Sequence, residues 1–166
     1  MLAVQIPRQL LLGLLLTVVA GAILLVASPV LAAKSDKDGG GSIAIHIEGP
    51  KAGEFRDLVL KAVPDGVTVI EEAEFRQALA RAGLRGPMGY AVTSPGQRGL
   101  LIKVVAKAVG FAEIDGAVIG RVRAKGAGLE LVLLYVDPAG DLPVDEAVPM
   151  KGEPDEQVAG LKSALG

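Results

Sequence analysis

The fold of this chain is decided by residues 100–140, which read LLIKVVAKAVGFAEIDGAVIGRVRAKGAGLELVLLYVDPAG. The pattern predicts an amphipathic helix from about Leu100 to Val109 that ends at Gly110. Two apolar strands follow, Gly116 to Ala124 and Leu129 to Val136, and the glycine-rich turn between them predicts a hairpin with at least one residue of positive φ. The second strand is apolar on both faces, which predicts a central strand covered by helices.

The chain before this stretch alternates strands with helices. Ile43 to Glu48 has an isoleucine at every second position, which predicts a strand with one strongly apolar face and one mixed face. Apolar residues at helical spacing predict helices at about Glu54 to Val63 and at Glu72 to Ala82. Val67 to Ile70 is a short β-branched run, which predicts a strand between them. This part of the chain therefore predicts a βαβα unit.

The chain after this stretch predicts one more strand and one more helix. Asp137 to Gly140 has the composition of a type I turn. The next strand, Val144 to Val148, contains acidic residues and follows a proline, as is typical of a sheet edge. A last helix is predicted from Asp155 to Leu165. The whole pattern predicts a mixed α/β fold, in which a mixed sheet has a βαβα start and a C-terminal β-meander and helices pack on it.

Residues 85–99, RGPMGYAVTSPGQRG, show neither the helical nor the strand period. Four glycines and two prolines in this run predict a long loop, and loops of that length are usually functional or disordered. Met88 and Tyr90 in the middle of this loop are candidate contacts for a partner protein. Val144 and Val148 on the predicted edge strand are the other two.

Residues 1–33 have the composition of a membrane-targeting segment. Arg8 is their only charged side chain, and Leu10 to Ala33 is a run of 24 residues without a charge. This predicts either a cleaved signal peptide or a retained membrane anchor. In both cases Arg8 stays on the cytoplasmic side, so the rest of the chain is predicted to be exported, either to the periplasm or to the periplasmic side of the inner membrane. Residues 34–42 predict a flexible linker, and residues 43–166 a single domain.

Composition excludes several kinds of site. The chain has no cysteine and one histidine, His46, which excludes disulfides, thiolate metal sites and multi-histidine metal sites within one chain. A net charge of −2 and an aromatic content of 3% give no basis for nucleic-acid binding. We therefore predict no catalytic residue, no metal and no cofactor.

Two short patterns raise the question of a binding site. His46 and Glu48 lie on one face of the first strand, and acid–base catalysis by this pair would need a cleft and a substrate-binding group. The competing interpretation is a histidine on the surface or on the second face of the strand. Gly49 to Gly53 joins a strand to a helix, where phosphate-binding loops lie, but it lacks the spacing of a nucleotide-binding loop.

Three segments of the sequence resemble a known family. They are AKAVG at residues 106–110, DGAVIGRV at 115–122 and VDPAG at 136–140. Their order and spacing resemble the amino-terminal α/β domain of the periplasmic TolB protein, with related domains in activator lipoproteins of cell-wall synthases and in curli secretion proteins. The resemblance covers about residues 43–148 and implies an exported, non-catalytic domain that binds envelope proteins. The lipid-attachment cysteine of the lipoprotein members is absent.

The sequence thus predicts an exported, non-catalytic envelope protein that acts by binding another protein. The predicted partner is an unidentified envelope or periplasmic protein. Contact with the membrane is expected only through residues 1–33, if they are retained. The alternative is a small-ligand or nucleotide-binding module that uses the turn from Gly49 to Gly53.

Overall fold

A computed structural model describes residues 40–142 and 144–165. The predicted export segment, residues 1–33, lies outside the described residues, as do residues 34–39 of the predicted linker. Within the described ranges, every helix is too short or too polar to cross a bilayer.

The described residues form five strands and five helices. In chain order these are β1 (Ser42–Glu48), α1 (Ala52–Ala62), β2 (Thr68–Val69), α2 (Glu72–Ala82), α3 (Gly89–Thr93), α4 (Pro95–Ala112), β3 (Gly116–Lys125), β4 (Gly128–Val136), β5 (Val144–Met150) and α5 (Pro154–Leu165). The predicted mixed α/β fold is confirmed.

The strands form one mixed sheet in the order β2-β1-β3-β4-β5. β1 is parallel to both β2 and β3, while β3, β4 and β5 are antiparallel neighbours. β4 lies between two strands and is buried along most of its length on both faces, as its apolar sequence predicts, although β3 is the middle strand of the sheet. β5 is an edge strand, which confirms that prediction as well.

The two faces of the sheet carry separate hydrophobic cores. We call the face covered by α2, α3 and α4 the front face, and the face covered by α1 and α5 the back face. Ile43, Ile45 and Ile47 of β1 all point to the back core. Because side chains alternate along a strand, Ala44, His46 and Glu48 point to the front. The polar end of β1 therefore lies under the front helices.

The turn chemistry follows the sequence. β3 and β4 are joined by a two-residue turn, in which Gly126 has φ of 59°. Lys125 pairs with Gly128 on either side of this turn. The predicted type I turn closes with the N–H of Gly140 donating to the carbonyl of Asp137 over 3.0 Å.

The prediction of a loop over residues 85–99 is wrong. The structure has α3 there, followed by the first turn of α4. Pro95 starts α4, where its missing N–H costs nothing, and the N–H groups of Gln97 and Arg98 donate to the carbonyl of Ser94. Sequence periodicity misses α3 because it has only five residues, and it misses the first turn of α4 because that turn is rich in glycine.

The predicted end of α4 at Gly110 is also wrong, since the helix continues to Ala112. Glu113 takes the left-handed conformation that ends it, with φ of 54°, and the N–H of Ile114 donates to the carbonyl of Val109 over 3.3 Å. Glycine is common at such an ending but is not required for it. Gly110 has a helical conformation one turn earlier.

Replacement of Leu133 by Ala tests the central packing. Leu133 is fully buried in β4, so Leu133→Ala is expected to lower the free energy of unfolding by about 2–5 kcal/mol, measured by urea denaturation. The matched control is Leu100→Ala, because Leu100 is 70% exposed and its removal should change the free energy by less than about 0.5 kcal/mol. Equal effects of the two substitutions would contradict the position of β4 between two cores.

Candidate functional site

The front end of β1 is organised by the carboxylate of Glu48. Glu48 is the last residue of the strand, and it accepts hydrogen bonds from the backbone N–H groups of Met88 (3.0 Å) and Gly89 (2.6 Å). Gly89 has no room for a side chain, since a Cβ there would lie 2.8 Å from the Glu48 carboxylate. The carboxylate therefore fixes the first turn of α3 against the sheet.

Arg121 holds the same helix from the neighbouring strand. It is the register partner of Glu48 on β3. Its Nη1 donates to the carbonyl oxygen of Gly89 over 3.1 Å and to Oγ1 of Thr93 over 3.0 Å. These bonds reach both the first and the last residue of α3. A short helix that could not persist alone is thus fixed by two charged side chains of the sheet.

Tyr90 is the side chain that α3, held by Glu48 and Arg121, presents to solvent. Its ring lies over the guanidinium of Arg121, with 5.6 Å between Cζ and the ring centroid. Tyr90 is nevertheless 64% exposed, so the contact leaves most of the ring free. An aromatic side chain on an already immobilised arginine loses little conformational entropy when it binds something. This Tyr90–Arg121 pair is the candidate functional site.

His46 is buried on the second face of β1, with 3% exposure, so its placement on the surface is wrong and its placement on the second face is correct. Nε2 lies 3.0 Å from Oε1 of Glu48, and Nδ1 lies 3.2 Å from Oε1 of Glu72 at the start of α2. The two carboxylates lie on opposite sides of the imidazole ring, so they do not converge on one point. Among the described residues, no cluster of three or more histidine and carboxylate side chains could hold a metal ion.

A cavity of about 510 Å³ opens beside His46 and Glu48. Its other walls include Arg76, Leu79 and Met88, of which only Arg76 is charged. Glu48 already accepts two backbone hydrogen bonds and contacts His46. Glu48 is therefore engaged in holding α3 to β1, whereas Nδ1 of His46 is buried and makes no hydrogen bond within the described residues.

Glu130 is a second carboxylate on the front face. It is fully buried on β4, where Nη2 of its register partner Arg123 donates to it over 2.6 Å and Lys125 donates from the end of β3. The hydrogen bonds from Lys125 and Arg123 hold the pKa of Glu130 below its ordinary value, although burial opposes this. The aliphatic parts of these two exposed cations cover the carboxylate.

In the described part of the chain, no residue on the front face of β5 joins the front core, although Arg98 of α4 forms an ion pair with Asp145 there. Asp145, Ala147 and Pro149 point to this face and are exposed. We call the area formed by Arg123, Lys125, Ala147 and Pro149 the open sheet surface. Pro149 is the register partner of Glu130, so this surface continues across β4 without a break.

Two of the four predicted partner contacts are buried. Met88 is 2% exposed because its N–H binds Glu48 and its side chain enters the front core. Val144 is 3% exposed because it faces the back core opposite Tyr135. Neither side chain is presented to a partner in this conformation. Tyr90 is exposed and Val148 is half-buried, and their contact with a partner stays a prediction.

The turn from Gly49 to Gly53 is explained by packing. Gly49 has φ of 115°, and a Cβ there would collide with the carbonyl oxygen of Val122 on β3. Nζ of Lys51 lies 3.0 Å from the carboxylate of Glu54, which is in the first turn of α1. A phosphate at this helix start would meet that carboxylate. Binding of a nucleotide or small ligand here stays a prediction without support from the geometry.

Comparisons with known proteins give two distant structural likenesses. No family model matches the chain, and no curated protein matches it. The C-terminal domain of LpoB from Salmonella enterica is 11% identical, with 71% of this chain and 87% of that chain covered and a TM-score of 0.48. The corresponding Escherichia coli domain is 11% identical, with 74% and 90% covered and a TM-score of 0.47. Likenesses this weak carry no argument about function. Neither of the two is a TolB domain, so that resemblance stays a prediction.

The effect of Glu48 on the pH dependence of the free energy of unfolding is a first test of this site. Burial acts to raise the pKa of Glu48, but hydrogen bonds from Met88, His46 and Gly89 lower it below the ordinary 4.5. The ionised form is therefore favoured by folding, and its contribution is complete above pH 4.5 and lost as the pH falls through the lowered pKa. Glu48→Gln should cost about 1–3 kcal/mol of unfolding free energy at neutral pH and less in acid.

Urea unfolding at several pH values measures this effect. Glu54→Gln is the matched control, because Glu54 is exposed and its side chain pairs with Lys51 alone within the described residues. A Glu48→Gln variant with the same loss of stability at neutral and acidic pH would contradict the role given to the ionised carboxylate.

Substitution of Gly49 separates packing from ligand binding. Gly49→Ala is expected to destabilise the protein by about 1–3 kcal/mol, because its backbone is left-handed and the new methyl group meets β3. Gly53→Ala is the control: nothing lies within 4 Å of a Cβ there, and alanine in a helix should stabilise by up to about 1 kcal/mol. Thermal unfolding of both variants gives the comparison, and an unchanged melting temperature for Gly49→Ala would refute the packing role.

Proposed function

We propose that this chain is an exported, non-catalytic domain of the cell envelope that works by binding another protein. The observation that carries this proposal is the Tyr90–Arg121 pair. Tyr90 is 64% exposed, yet it rests on an arginine fixed by two hydrogen bonds to α3. Tyrosine and arginine are enriched among the residues that dominate binding energy at protein interfaces. A pre-organised pair of this kind suits a protein partner.

The open sheet surface adjoins this pair and extends the proposed interface. Arg121 on β3 is the register partner of Val132 on β4, which in turn pairs with Ala147 on the edge strand. The Tyr90–Arg121 pair therefore borders the open sheet surface along one row of the sheet. Because β5 is an edge strand, its outer backbone groups are also available for pairing with an added strand.

The non-catalytic part of the proposal rests on how the polar groups are used. Buried His46 lies between the half-buried carboxylates of Glu48 and Glu72, and Glu48 also binds the start of α3. Glu130 is neutralised by Arg123 and Lys125. A general acid or base must reach the proton it transfers, and these groups are committed to holding elements together. The export part rests on the composition of residues 1–33.

Photo-crosslinking from position 90 tests this proposal. The full chain with benzoylphenylalanine in place of Tyr90 is expressed in its own cells and irradiated. A discrete crosslinked product with an envelope protein is expected, since the side chain at this position is exposed next to the proposed interface. With the identified partner, Tyr90→Ala should raise the dissociation constant at least about 30-fold, the size expected for a dominant contact.

The matched control is the same photoreactive residue at Lys61. Lys61 is exposed on α1, which covers the opposite face of the sheet. The same crosslinked products from positions 90 and 61, or no crosslinked product from position 90, would contradict the proposed interface.

A further inference from the structure

The charges of this chain are segregated along the sequence. Residues 75–112 contain six basic residues and no acidic one: Arg76, Arg81, Arg85, Arg98, Lys103 and Lys107. All 19 acidic residues lie elsewhere, with the other 11 of the 17 basic residues. A run of this length without an acid is unexpected in a chain of net charge −2.

The fold gathers this run into one layer. Residues 75–112 include most of α2 and all of α3 and α4, the three helices that cover the front face. We call these helices the front layer. The three front helices together hold five basic residues and two acidic ones, Glu72 and Glu74 at the start of α2, whereas the back helices α1 and α5 hold three basic and four acidic residues, so the two outer surfaces differ in charge. The front layer is the cationic side of the domain.

The exposed apolar side chains lie on the same side. The large hydrophobic residues that are exposed in the described part of the chain are Tyr90 (64%), Leu100 (70%) and Phe111 (43%), and each belongs to the front layer. An exposed aromatic or leucine is unremarkable alone, but their confinement to one cationic layer sets this side apart.

The outer side of α4 combines both properties. Leu100, Lys103, Lys107 and Phe111 follow each other at intervals of three, four and four residues, so they form one stripe. Nζ of Lys107 lies 5.5 Å from the centroid of the Phe111 ring. Neither lysine is within ion-pair distance of a carboxylate in the described part of the chain. Their charges therefore remain available to an external anion.

We infer that the front layer is a docking surface for an anionic lipid membrane. A helix that carries lysines beside leucine and phenylalanine lies in the headgroup region, with the apolar side chains inserted and the lysines at the phosphates. Leu100 and Phe111 are the inserted groups, and Lys103 and Lys107 bind lipid phosphates. Arg81 on α2 adds charge to the same layer.

The short segment between the predicted membrane anchor and β1 favours a lipid membrane, rather than an acidic protein, as the partner of the front layer. Residues 34–41 separate the uncharged run that ends at Ala33 from the start of β1, and eight residues span at most about 29 Å. The domain thus stays within about one domain diameter of the membrane, where a weak surface contact is populated by its high effective concentration. This inference rests on the retained-anchor form of the proposed function.

The chain contains no tryptophan, so Phe111→Trp introduces a unique fluorescent reporter. The full chain is reconstituted into vesicles that contain brominated phosphatidylcholine, with or without about 30% phosphatidylglycerol. Strong quenching of the Phe111→Trp indole is expected in the anionic vesicles and little in the neutral ones. Ser163→Trp is the matched control, because Ser163 is exposed on α5 at the back face, and it should be unquenched in both.

Removal of the two lysines tests the electrostatic part. Each lysine near an anionic surface changes the contact equilibrium about fivefold, so Lys103→Gln combined with Lys107→Gln should reduce it about 25-fold. Quenching of the Phe111→Trp indole should then fall to the control level, and high salt should have the same effect in the unsubstituted background. Both lysines are exposed, and an unchanged urea unfolding curve shows that the fold is intact.

Three outcomes would overturn the inference. Equal quenching of the two indoles, or quenching that does not depend on phosphatidylglycerol, would show that the front layer does not select an anionic membrane. A spectral change of the Phe111→Trp indole with poly-glutamate but not with vesicles would assign the layer to an acidic protein. A mature chain that has lost residues 1–33, by mass spectrometry of native membranes, would remove the tether. Crosslinking at position 90 is independent of all three.

Discussion

The front half of this protein depends on the charge of one carboxylate at the end of a strand. Glu48 accepts the N–H groups of Met88 and Gly89, so its ionised form is the one that fits the folded chain. Arg121 sits beside it in register and binds α3 through Gly89 and Thr93. Two opposite charges on neighbouring strands are thus used to hold a five-residue helix. The position of Tyr90 follows from this helix.

The carboxylate of Glu130, which is fully buried, has a different effect on the surface. Glu130 requires Arg123 and Lys125 as partners, because a buried charge without partners is strongly destabilising. The positive charges of Arg123 and Lys125 on the open sheet surface are therefore partly neutralised by the buried carboxylate of Glu130. Lys103 and Lys107 on α4 have no such partner among the described residues. One domain thus presents a nearly balanced open sheet surface beside Tyr90 and an unbalanced cationic stripe along α4, and the two suit different kinds of partner.

Local sequence patterns predict most of the fold and little of the candidate site. α2 has the predicted ends at Glu72 and Ala82, and the strands from β3 to β5 agree within two residues, because each has its own period. Residues 85–99 have no period, since their conformation is imposed by Glu48 and Arg121 from distant parts of the chain. Met88 therefore looks exposed in the sequence but is buried in the structure. The acid-free run 75–112 was a usable signal, since it needs only a count of charges.

The sequence by itself determined every described element except α3, together with the mixed sheet, the edge position of β5 and the exclusion of cysteine-based sites. These depend on residue spacing and composition, which are local properties. Only the tertiary structure decided that His46 lies between two carboxylates, that Gly49 approaches β3 and that α3 carries Tyr90 over Arg121. Each of these brings together residues far apart in the chain. Their proximity comes from strand register and helix packing, which local periodicity does not encode.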